Sequence, residues 1–214
     1  MNKQQEIDIL SHLISIKSVN DHEAAVADYI ESLFKPYEDQ GVKIERVSYA
    51  PDRDNLIVTI GEGERMLGFS GHEDVVAPGD LSQWNSDPFK ATIKDNMLYG
   101  RGASDMKSGL AALIAAMLDM LENHHVPGKI RLLCTVGEET GEYGAAQLTK
   151  LGYADNLAGL VIAEPGNDMH EIGYTSKGII DYIVTSKGKG AHSSQPQKGI
   201  NAIDHLIDFA VQVK

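Results

Sequence analysis

Apolar residues at helical spacing predict two amphipathic helices at the start of the chain. In the first helix they recur three and four positions apart from Ile7 to Ile14, and in the second from Val26 to Phe34. Asn20, followed three residues later by Glu23, is predicted to cap the second helix in a capping box. Each helix therefore presents one apolar face to the rest of the protein.

Short apolar stretches further along the chain predict strands. Three strand candidates follow one another over Val42–Val47, Asn55–Ile60 and Met66–Ser70. Two later candidates, Ile130–Val136 and Leu157–Ala163, are largely continuous in apolar residues, and we predict that both are buried.

Helices are predicted between these strands. Turn-forming residues dominate from Gly71 to Gly102, a long helix is predicted to begin near Ser104, and a shorter one covers Tyr143–Leu151. Strands that alternate with covering helices predict an α/β fold with an open, mostly parallel sheet flanked by helices. In such sheets, ligands bind beyond the carboxyl ends of the strands.

The pattern changes after about Gly173, so we predict one domain over residues 1–173 and the start of a second, α+β unit over residues 174–214. In the second unit, alternation over Gly178–Ser186 predicts a half-exposed strand, and helical spacing predicts a helix over Ile200–Val213. Because one strand and one helix bury little surface alone, we expect this unit to be incomplete and the chain to be truncated.

Composition and charge narrow the classes of partner. With 31 acidic and 19 basic residues, the chain has a net charge of −12 at pH 7, which argues against nucleic acid and anionic membranes as partners. No segment approaches the roughly 20 apolar residues of a membrane span, and the first residues lack the apolar core of a secretory signal. The single Cys134 fits a reducing compartment, so a cytoplasmic location is expected.

Acidic and histidine residues cluster where the predicted strands end. His72 and Asp74 follow the third strand and point to the same side of an extended segment, so Asp74 can fix the tautomer of the His72 ring. Glu138 and Glu139 follow a predicted buried strand, where adjacent carboxylates repel each other unless a cation lies between them. One of them can then bind metal while the other acts as a base. Glu164 closes the last of these strands.

Asp105 adds a fourth cluster, because it is predicted at the N-terminus of the long helix, where the helix dipole stabilises a carboxylate. Each cluster alone has an ordinary explanation as a solvated acidic turn, a surface histidine or a good first-turn residue. Four clusters in one α/β order favour a metal site. His-Glu-x-x-His and Gly-x-Ser-x-Gly motifs are absent from the sequence, and Cys134 lies inside a predicted strand, so a serine or cysteine nucleophile is not supported.

These segments resemble the family of zinc aminoacylases and peptidases that includes succinyl-diaminopimelate desuccinylase, acetylornithine deacetylase and glutamate-releasing carboxypeptidases. The matching segments occur in the same order along about residues 5–214 and are Ser70–Val76, Gly79–Asp80 with Trp84 and Pro88–Phe89, Tyr99–Lys107, Gly137–Glu139, Glu164–Pro165 and Gly190–Ser194. Within this family, the sequence most resembles the desuccinylase and deacetylase branch, which cleaves the amide bond of N-acyl amino acids.

The resemblance implies two divalent metal ions, with zinc expected and cobalt as the alternative. At the matching positions, His72 and Glu164 would bind one ion, Glu139 would bind the other, and Asp105 would bridge the two. It also implies a cis peptide bond after Asp105.

The same resemblance implies catalytic roles. Asp74 would orient the metal-binding histidine, and Glu138 would be the general base and later the acid. Residues 1–173 would form part of the catalytic metallohydrolase domain, and residues 174–214 would begin a lid and dimerisation domain. From the latter, His192 would reach the active site of a neighbouring subunit and bind the developing oxyanion, so a homodimer is expected. In the family, a histidine near the C-terminus completes the second metal site. No histidine follows His205 here, so we expect an incomplete second site and weak or absent hydrolysis by this chain.

Three functions remain open at this point. A deacylase of N-acyl amino acids is favoured, a di- or aminopeptidase would share the same metal core, and a non-catalytic interaction domain would have kept only the fold. Glu138 argues against the last, because a binding domain needs no base beside a metal ligand. Lys177 could meet a substrate carboxylate, although a lysine facing solvent is the ordinary interpretation.

Overall fold

The computed structural model describes residues 1–166, 172–175, 178 and 182–213. The chain divides into two units, Met1–Ile172 and Gly173–Lys214. The predicted strand over Gly178–Ser186 lies partly outside the described residues, and residues 182–186 are described without strand structure. Lys177 lies outside the described residues.

The first unit combines helices and strands. Its helices are α1 (Lys3–Ser15), α2 (Ala24–Phe34), α3 (Lys107–Glu122), α4 (Glu138–Gly141) and α5 (Tyr143–Lys150). Its strands are β1 (Lys43–Ala50), β2 (Arg53–Ile60), β3 (Met66–His72), β4 (Thr92–Lys94), β5 (Met97–Tyr99), β6 (Lys129–Thr135) and β7 (Leu157–Ile162).

Five of these strands form one sheet in the order β1-β2-β6-β3-β7. β3 pairs in parallel with β6 and β7, whereas β2 is antiparallel to both β1 and β6. Four strands therefore point the same way and only β2 is reversed, which confirms the predicted mostly parallel sheet. His72 lies opposite Thr135, and Ser70 lies opposite Ile162. The carboxyl ends of β6, β3 and β7 thus meet at one edge.

Apolar residues cover both faces of the sheet. Side chains of β2 alternate between the faces, as the pleat requires. Leu56, Val58 and Ile60 join the large apolar cluster that also contains residues of α1, α2 and α3. Ile57 joins a smaller cluster on the other face with Leu148 of α5. Burying each such side chain stabilises the fold by about 1.5–3 kcal/mol.

The predicted capping box at Asn20 is wrong, because Glu23 is engaged elsewhere. The buried Glu23 carboxylate accepts hydrogen bonds from Arg53 Nε at 3.0 Å and Nη2 at 2.7 Å. Asn20 has a φ of 26°, which is not the extended conformation of an N-cap. The N–H of Ala24, the first residue of α2, donates instead to the Asp52 carbonyl at 3.0 Å.

The start of the long helix also differs from the prediction. α3 begins at Lys107 and not near Ser104, because residues 101–106 form consecutive turns. The Lys107 N–H closes them by donating to the Gly102 carbonyl at 2.9 Å. Asp105 therefore precedes the helix and does not lie in its first turn.

The prediction that β7 is buried is wrong, because all of its residues except Leu157 are exposed. It lies at the end of the strand order in the described sheet, and Leu160, Val161 and Ile162 are 45%, 46% and 57% exposed. A run of apolar residues predicts a strand, but it does not reveal how many neighbours cover that strand.

The region Gly71–Gly102, predicted as loop, contains a small hairpin of β4 and β5. Its turn is Asp95–Asn96, with φ values of 51° and 61°, the left-handed conformation that these residue types tolerate in tight hairpins.

The second unit contains α6 (Ala202–Gln212), which confirms the helix predicted in this region. Asn201 caps it by accepting the Ile203 N–H at 3.1 Å. Across the residues that the structure describes, none of the helices combines the length and the apolar character that crossing a membrane requires.

Candidate metal centre

Three parallel strands bring acidic and histidine side chains to one edge of the sheet. His72 ends β3, Glu138 and Glu139 follow β6, and Glu164 follows β7. Asp105 comes from the turns that precede α3. One nitrogen of His72 and one carboxylate oxygen each from Asp105 and Glu139 lie within 4.8 Å of one another. This group has the donors and the spacing that a metal ion needs.

The buried imidazole of His72 is held by Asp74 through its Nδ1 atom. Nδ1 lies 2.9 Å from the backbone oxygen of Asp74 and 3.5 Å from its Oδ1. Since a carbonyl oxygen only accepts, Nδ1 carries a proton, and Nε2 is the nitrogen that could bind a metal ion once the ring is neutral. Nε2 faces the acidic side chains, at 3.2 Å from Asp105 Oδ1, 3.6 Å from Glu164 Oε1 and 4.0 Å from Glu138 Oε2. This is the orientation of a metal-binding histidine.

The fully buried carboxylate of Asp74 connects two of the strand ends. Its Oδ1 accepts the backbone N–H of Glu138 and its Oδ2 that of Glu139, both at 3.1 Å. Burial raises the pKa of Asp74, but His72 and these two N–H groups outweigh burial and hold the pKa below its usual value. Asp74 therefore stays ionised and ties the turn after β6 to the end of β3.

Three glutamate carboxyl groups near His72 have pKa values above the usual value. Burial is the largest cause that raises the pKa of Glu138, Glu139 and Glu164, and the charge of Asp105 adds to it at each. At Glu164 the pKa reaches about 7. Burial and the neighbouring negative charges thus disfavour the ionised form of these carboxyl groups, and a divalent cation at this position would favour it.

His72 carries the compensating positive charge in the metal-free site. Burial lowers the pKa of His72, but the carboxylates of Asp74, Glu164 and Asp105 outweigh burial and raise the pKa to about 9. Only the neutral imidazole binds a metal, so a metal ion would displace this proton.

The donor set fits zinc, which binds histidine nitrogen together with carboxylate oxygen, and cobalt accepts similar ligands. By the resemblance, His72 and Glu139 would bind different ions, and Asp105 would bridge the two. In the structure, donor atoms of these three residues form one group. The peptide bond between Asp105 and Met106 is cis, which confirms that implication of the resemblance.

The predicted oxyanion-binding residue His192 belongs to the second unit. There its Nδ1 lies 2.9 Å from Ser194 Oγ and accepts the Ser194 N–H at 3.2 Å. The ring is thus oriented locally by the residue two positions later. Its role at the site of a neighbouring subunit stays a prediction.

Sequence reasoning missed Gly109, which brings α3 against the end of β7. A Cβ added at Gly109 would lie 1.8 Å from the backbone oxygen of Ala163, the residue before Glu164. The helix therefore packs backbone to backbone at this point, which brings the segment of Asp105 close to Glu164. A single glycine inside a helical pattern was the available signal.

Lys107 was also missed as a supporting residue, although it ends one of the matched segments. It is fully buried, and its Nζ donates to the carbonyls of Leu13 at 2.7 Å and Ile16 at 2.9 Å. Burial lowers the pKa of Lys107 to about 7. This side chain fixes the start of α3, directly after Asp105, to the end of α1.

Known proteins are similar to this chain in sequence and in fold. Residues 68–212 match the sequence profile described as Peptidase family M20/M25/M40. A protein of Staphylococcus epidermidis named "Probable succinyl-diaminopimelate desuccinylase" is 43% identical over 215 residues, covering 100% of this chain and 52% of that protein. A Staphylococcus aureus protein of the same name is 41% identical, covering 100% of this chain and 51% of that protein. The chain thus spans about half the length of the curated relatives it matches.

Among solved structures, the aminopeptidase PepT from Bacillus cereus superimposes with a TM-score of 0.66 at 25% identity. The match covers 95% of this chain and 55% of that one.

Proposed function

The chain belongs to peptidase family M20/M25/M40, and we propose that it carries the metal site of a hydrolase that cleaves the amide bond of an N-acyl amino acid. One observation carries this proposal. His72, Asp105 and Glu139 place their donor atoms within 4.8 Å of one another, and a second glutamate, Glu138, lies 4.0 Å from His72 Nε2. A metal-binding protein without catalysis has no need of that extra carboxylate.

The names of the relatives favour a succinylated substrate. Two staphylococcal relatives, each covering the whole of this chain, are named succinyl-diaminopimelate desuccinylase. We therefore propose N-succinyl-diaminopimelate as the first substrate to test, with N-acetylornithine as the next. The net charge of −12 does not argue against such a substrate, because the acidic side chains at the site would bind metal ions.

Four residues would hold the metal. His72, Asp105, Glu139 and Glu164 supply one imidazole nitrogen and carboxylate oxygens at a single sheet edge, and zinc is the expected ion, with cobalt as the alternative. When bound, divalent metal ions make water more acidic and polarise the carbonyl group of a substrate.

The chain's own residues would then move the proton. Glu138 accepts a proton from the attacking water and delivers it to the leaving amine. Burial raises the pKa of Glu138, which makes it a stronger base than an exposed glutamate. Asp74 holds the backbone of Glu138 and the ring of His72, so the base and the first ligand keep a fixed separation. In this proposal His192 serves a neighbouring subunit of a cytoplasmic homodimer.

A peptidase is the second candidate function. The match to the Bacillus cereus aminopeptidase covers 95% of this chain, so a protein named for cleaving peptides shares this fold. The substrate decides between the two, because both reactions would use the same metal ligands and the same base.

A hydrolysis assay tests the proposal. Because the chain spans about half of its relatives, it is assayed alone and together with the unmatched half of the Staphylococcus epidermidis relative, after loading with zinc. We expect the two halves together to release succinate from N-succinyl-diaminopimelate and the chain alone to release little or none. The activity of the two halves should fall by about 10²–10⁴-fold with Glu138→Gln and stay unchanged with the exposed control Glu62→Gln. Faster cleavage of dipeptides would favour the peptidase. Hydrolysis that Glu138→Gln leaves intact would overturn the mechanism.

A further inference from the structure

We propose that Asn55 is a positioning residue for the turn that carries Glu138 and Glu139, an inference that rests on the proposed function. Asn55 is the third residue of β2 and is fully buried. It lies in a predicted strand, far from the acidic clusters in the sequence, and nothing in the motifs marks it.

The side-chain amide of Asn55 joins three parts of the fold. Its Oδ1 accepts the Val136 N–H at 3.1 Å, and its Nδ2 donates to the Val47 carbonyl at 3.0 Å and to Gln147 Oε1 at 2.8 Å. β1, the end of β6 and α5 therefore all meet at one buried amide. Buried amides with every polar atom paired favour a single arrangement of their surroundings.

Asn55 lies where the backbone pairing between β2 and β6 ends. The paired register of β2 and β6 ends at Leu56 and Cys134. Two residues after Cys134, just beyond β6, the Val136 N–H donates to the Asn55 side chain instead of to a backbone carbonyl. The amide thus extends the ladder up to the residue before Gly137, where the chain turns with a φ of 68° into Glu138.

The junction leaves no room for rearrangement. The Gly144 N–H donates to the Val136 carbonyl at 2.9 Å. A Cβ added at Gly144 would lie 2.1 Å from Asn55 Oδ1 and 2.5 Å from Val136 N. Both polar groups of Val136 are therefore fixed immediately before the turn, the N–H by Asn55 and the carbonyl by α5.

The turn is held at two places. Asn55 holds Val136 on one side, and the Asp74 carboxylate holds the N–H groups of Glu138 and Glu139 on the other. Without Asn55 the Val136 N–H would lose its partner, while the Gly144 bond to the Val136 carbonyl and the two bonds to Asp74 would remain. The distance between Glu139 and His72 would then be fixed less tightly. Removing a hydrogen-bond partner that orients a metal ligand weakens metal binding by about 10–100-fold.

Hydrogen–deuterium exchange of the metal-free chain tests the local effect. Asn55→Ala is compared with Val58→Ala, a control in the same strand whose fully buried side chain lies in the large apolar cluster. The two variants are compared under conditions that give them the same free energy of unfolding. We then expect the backbone amides of residues 135–140 to exchange about tenfold faster in Asn55→Ala than in the control. Equal exchange in the two variants would overturn the inference.

A milder variant covers the case in which Asn55→Ala does not fold. Gln147→Ala removes one of the partners of the Asn55 amide from a half-buried position on α5. We expect it to speed exchange over residues 135–140 in the same direction and by a smaller factor. No change of exchange in Gln147→Ala, when Asn55→Ala is unfolded, would count against the inference.

Zinc affinity separates this inference from the proposed function. We expect the Kd for zinc to rise by about 10–100-fold in Asn55→Ala and to stay unchanged in Val58→Ala. If the wild-type chain binds zinc and both variants bind it equally well, the inference fails and the proposed function stands. If the wild-type chain binds no zinc, the proposed function fails, and the exchange experiment still decides whether Asn55 holds the turn.

Discussion

The backbone carbonyl of Asp74 lies 2.9 Å from Nδ1 of His72, closer than the Asp74 carboxylate oxygen at 3.5 Å. The main chain of Asp74 therefore contributes to fixing the ring whose Nε2 faces the acidic residues. The carboxylate is left with acceptor capacity for the N–H groups of Glu138 and Glu139. Asp74 thus links a metal ligand at the end of β3 to another in the turn after β6.

Asp74→Asn is expected to weaken both the metal site and the fold. An asparagine offers one oxygen, so the N–H of either Glu138 or Glu139 would face an NH₂ group. We expect zinc affinity to fall by about 10–100-fold and the free energy of unfolding to fall by about 1–3 kcal/mol. Competition with a chromogenic chelator and urea denaturation measure the two effects. The exposed Asp39→Asn serves as control, and zinc affinity at the wild-type level in Asp74→Asn would argue against this role.

Gly109→Ala is expected to separate α3 from the end of β7. The added Cβ would lie 1.8 Å from the Ala163 backbone oxygen, and backbone at that distance must move. We expect a loss of about 1–3 kcal/mol in the free energy of unfolding, together with weaker zinc binding, because Asp105 and Glu164 lie on the two displaced segments. Gly128→Ala is the matched control, since a Cβ there meets nothing within 4 Å. Equal stability of the two variants would contradict the packing described here.

Zinc affinity is expected to increase with pH. In the metal-free site the pKa of His72 is about 9 and that of Glu164 about 7, so zinc must displace protons at lower pH. Affinity should gain about tenfold per pH unit for each proton displaced. The gain in zinc affinity per pH unit is therefore largest below pH 7, where both groups carry protons, and the affinity levels off near pH 9. Chelator-buffered titrations measure it, with the surface variant His22→Gln as control, and a Kd that does not depend on pH would refute it.

Lys107 is expected to make stability rise with pH. Burial lowers the pKa of Lys107 from 10.5 to about 7. Between these values the unfolded chain binds a proton that the folded chain does not, so the free energy of unfolding increases with pH across this window. Lys107→Met removes this contribution.

The difference in Tm between wild type and Lys107→Met, wild type minus variant, should therefore grow from pH 7 to pH 10. The exposed Lys90→Met is the control, and its difference from wild type should stay constant. A Lys107→Met difference that stays flat or shrinks over this range would show that Lys107 is charged in the folded chain.

The candidate site could be predicted from sequence because its residues directly follow apolar runs. His72, Glu138 and Glu164 each come at or just after the end of a strand, and strand ends are visible in the hydrophobic pattern. Parallel neighbours then place these residues at one edge without further information. The position of Asp105 relative to α3 was less accessible, because turns before a helix resemble its first turn in composition.

The residues that support the site could not be predicted in this way. Asn55 and Val136 are 81 positions apart, and the buried pair of Glu23 and Arg53 spans 30 positions. Such contacts depend on which strands become neighbours, and they leave no periodic signal along the chain. The exposure of β7 has the same origin, since a strand's own residues do not record its place in the sheet.

Zinc titration of the purified chain by calorimetry, wild type beside Asp105→Asn, tests the central claim most directly. The Asp105 side chain is 56% exposed, so its replacement is not expected to unfold the chain, and Asp39→Asn serves as the surface control. The account predicts saturable zinc binding by the wild type and the control that Asp105→Asn loses. Equal binding by all three proteins, or no binding by the wild type, would contradict a metal centre formed by His72, Asp105 and Glu139.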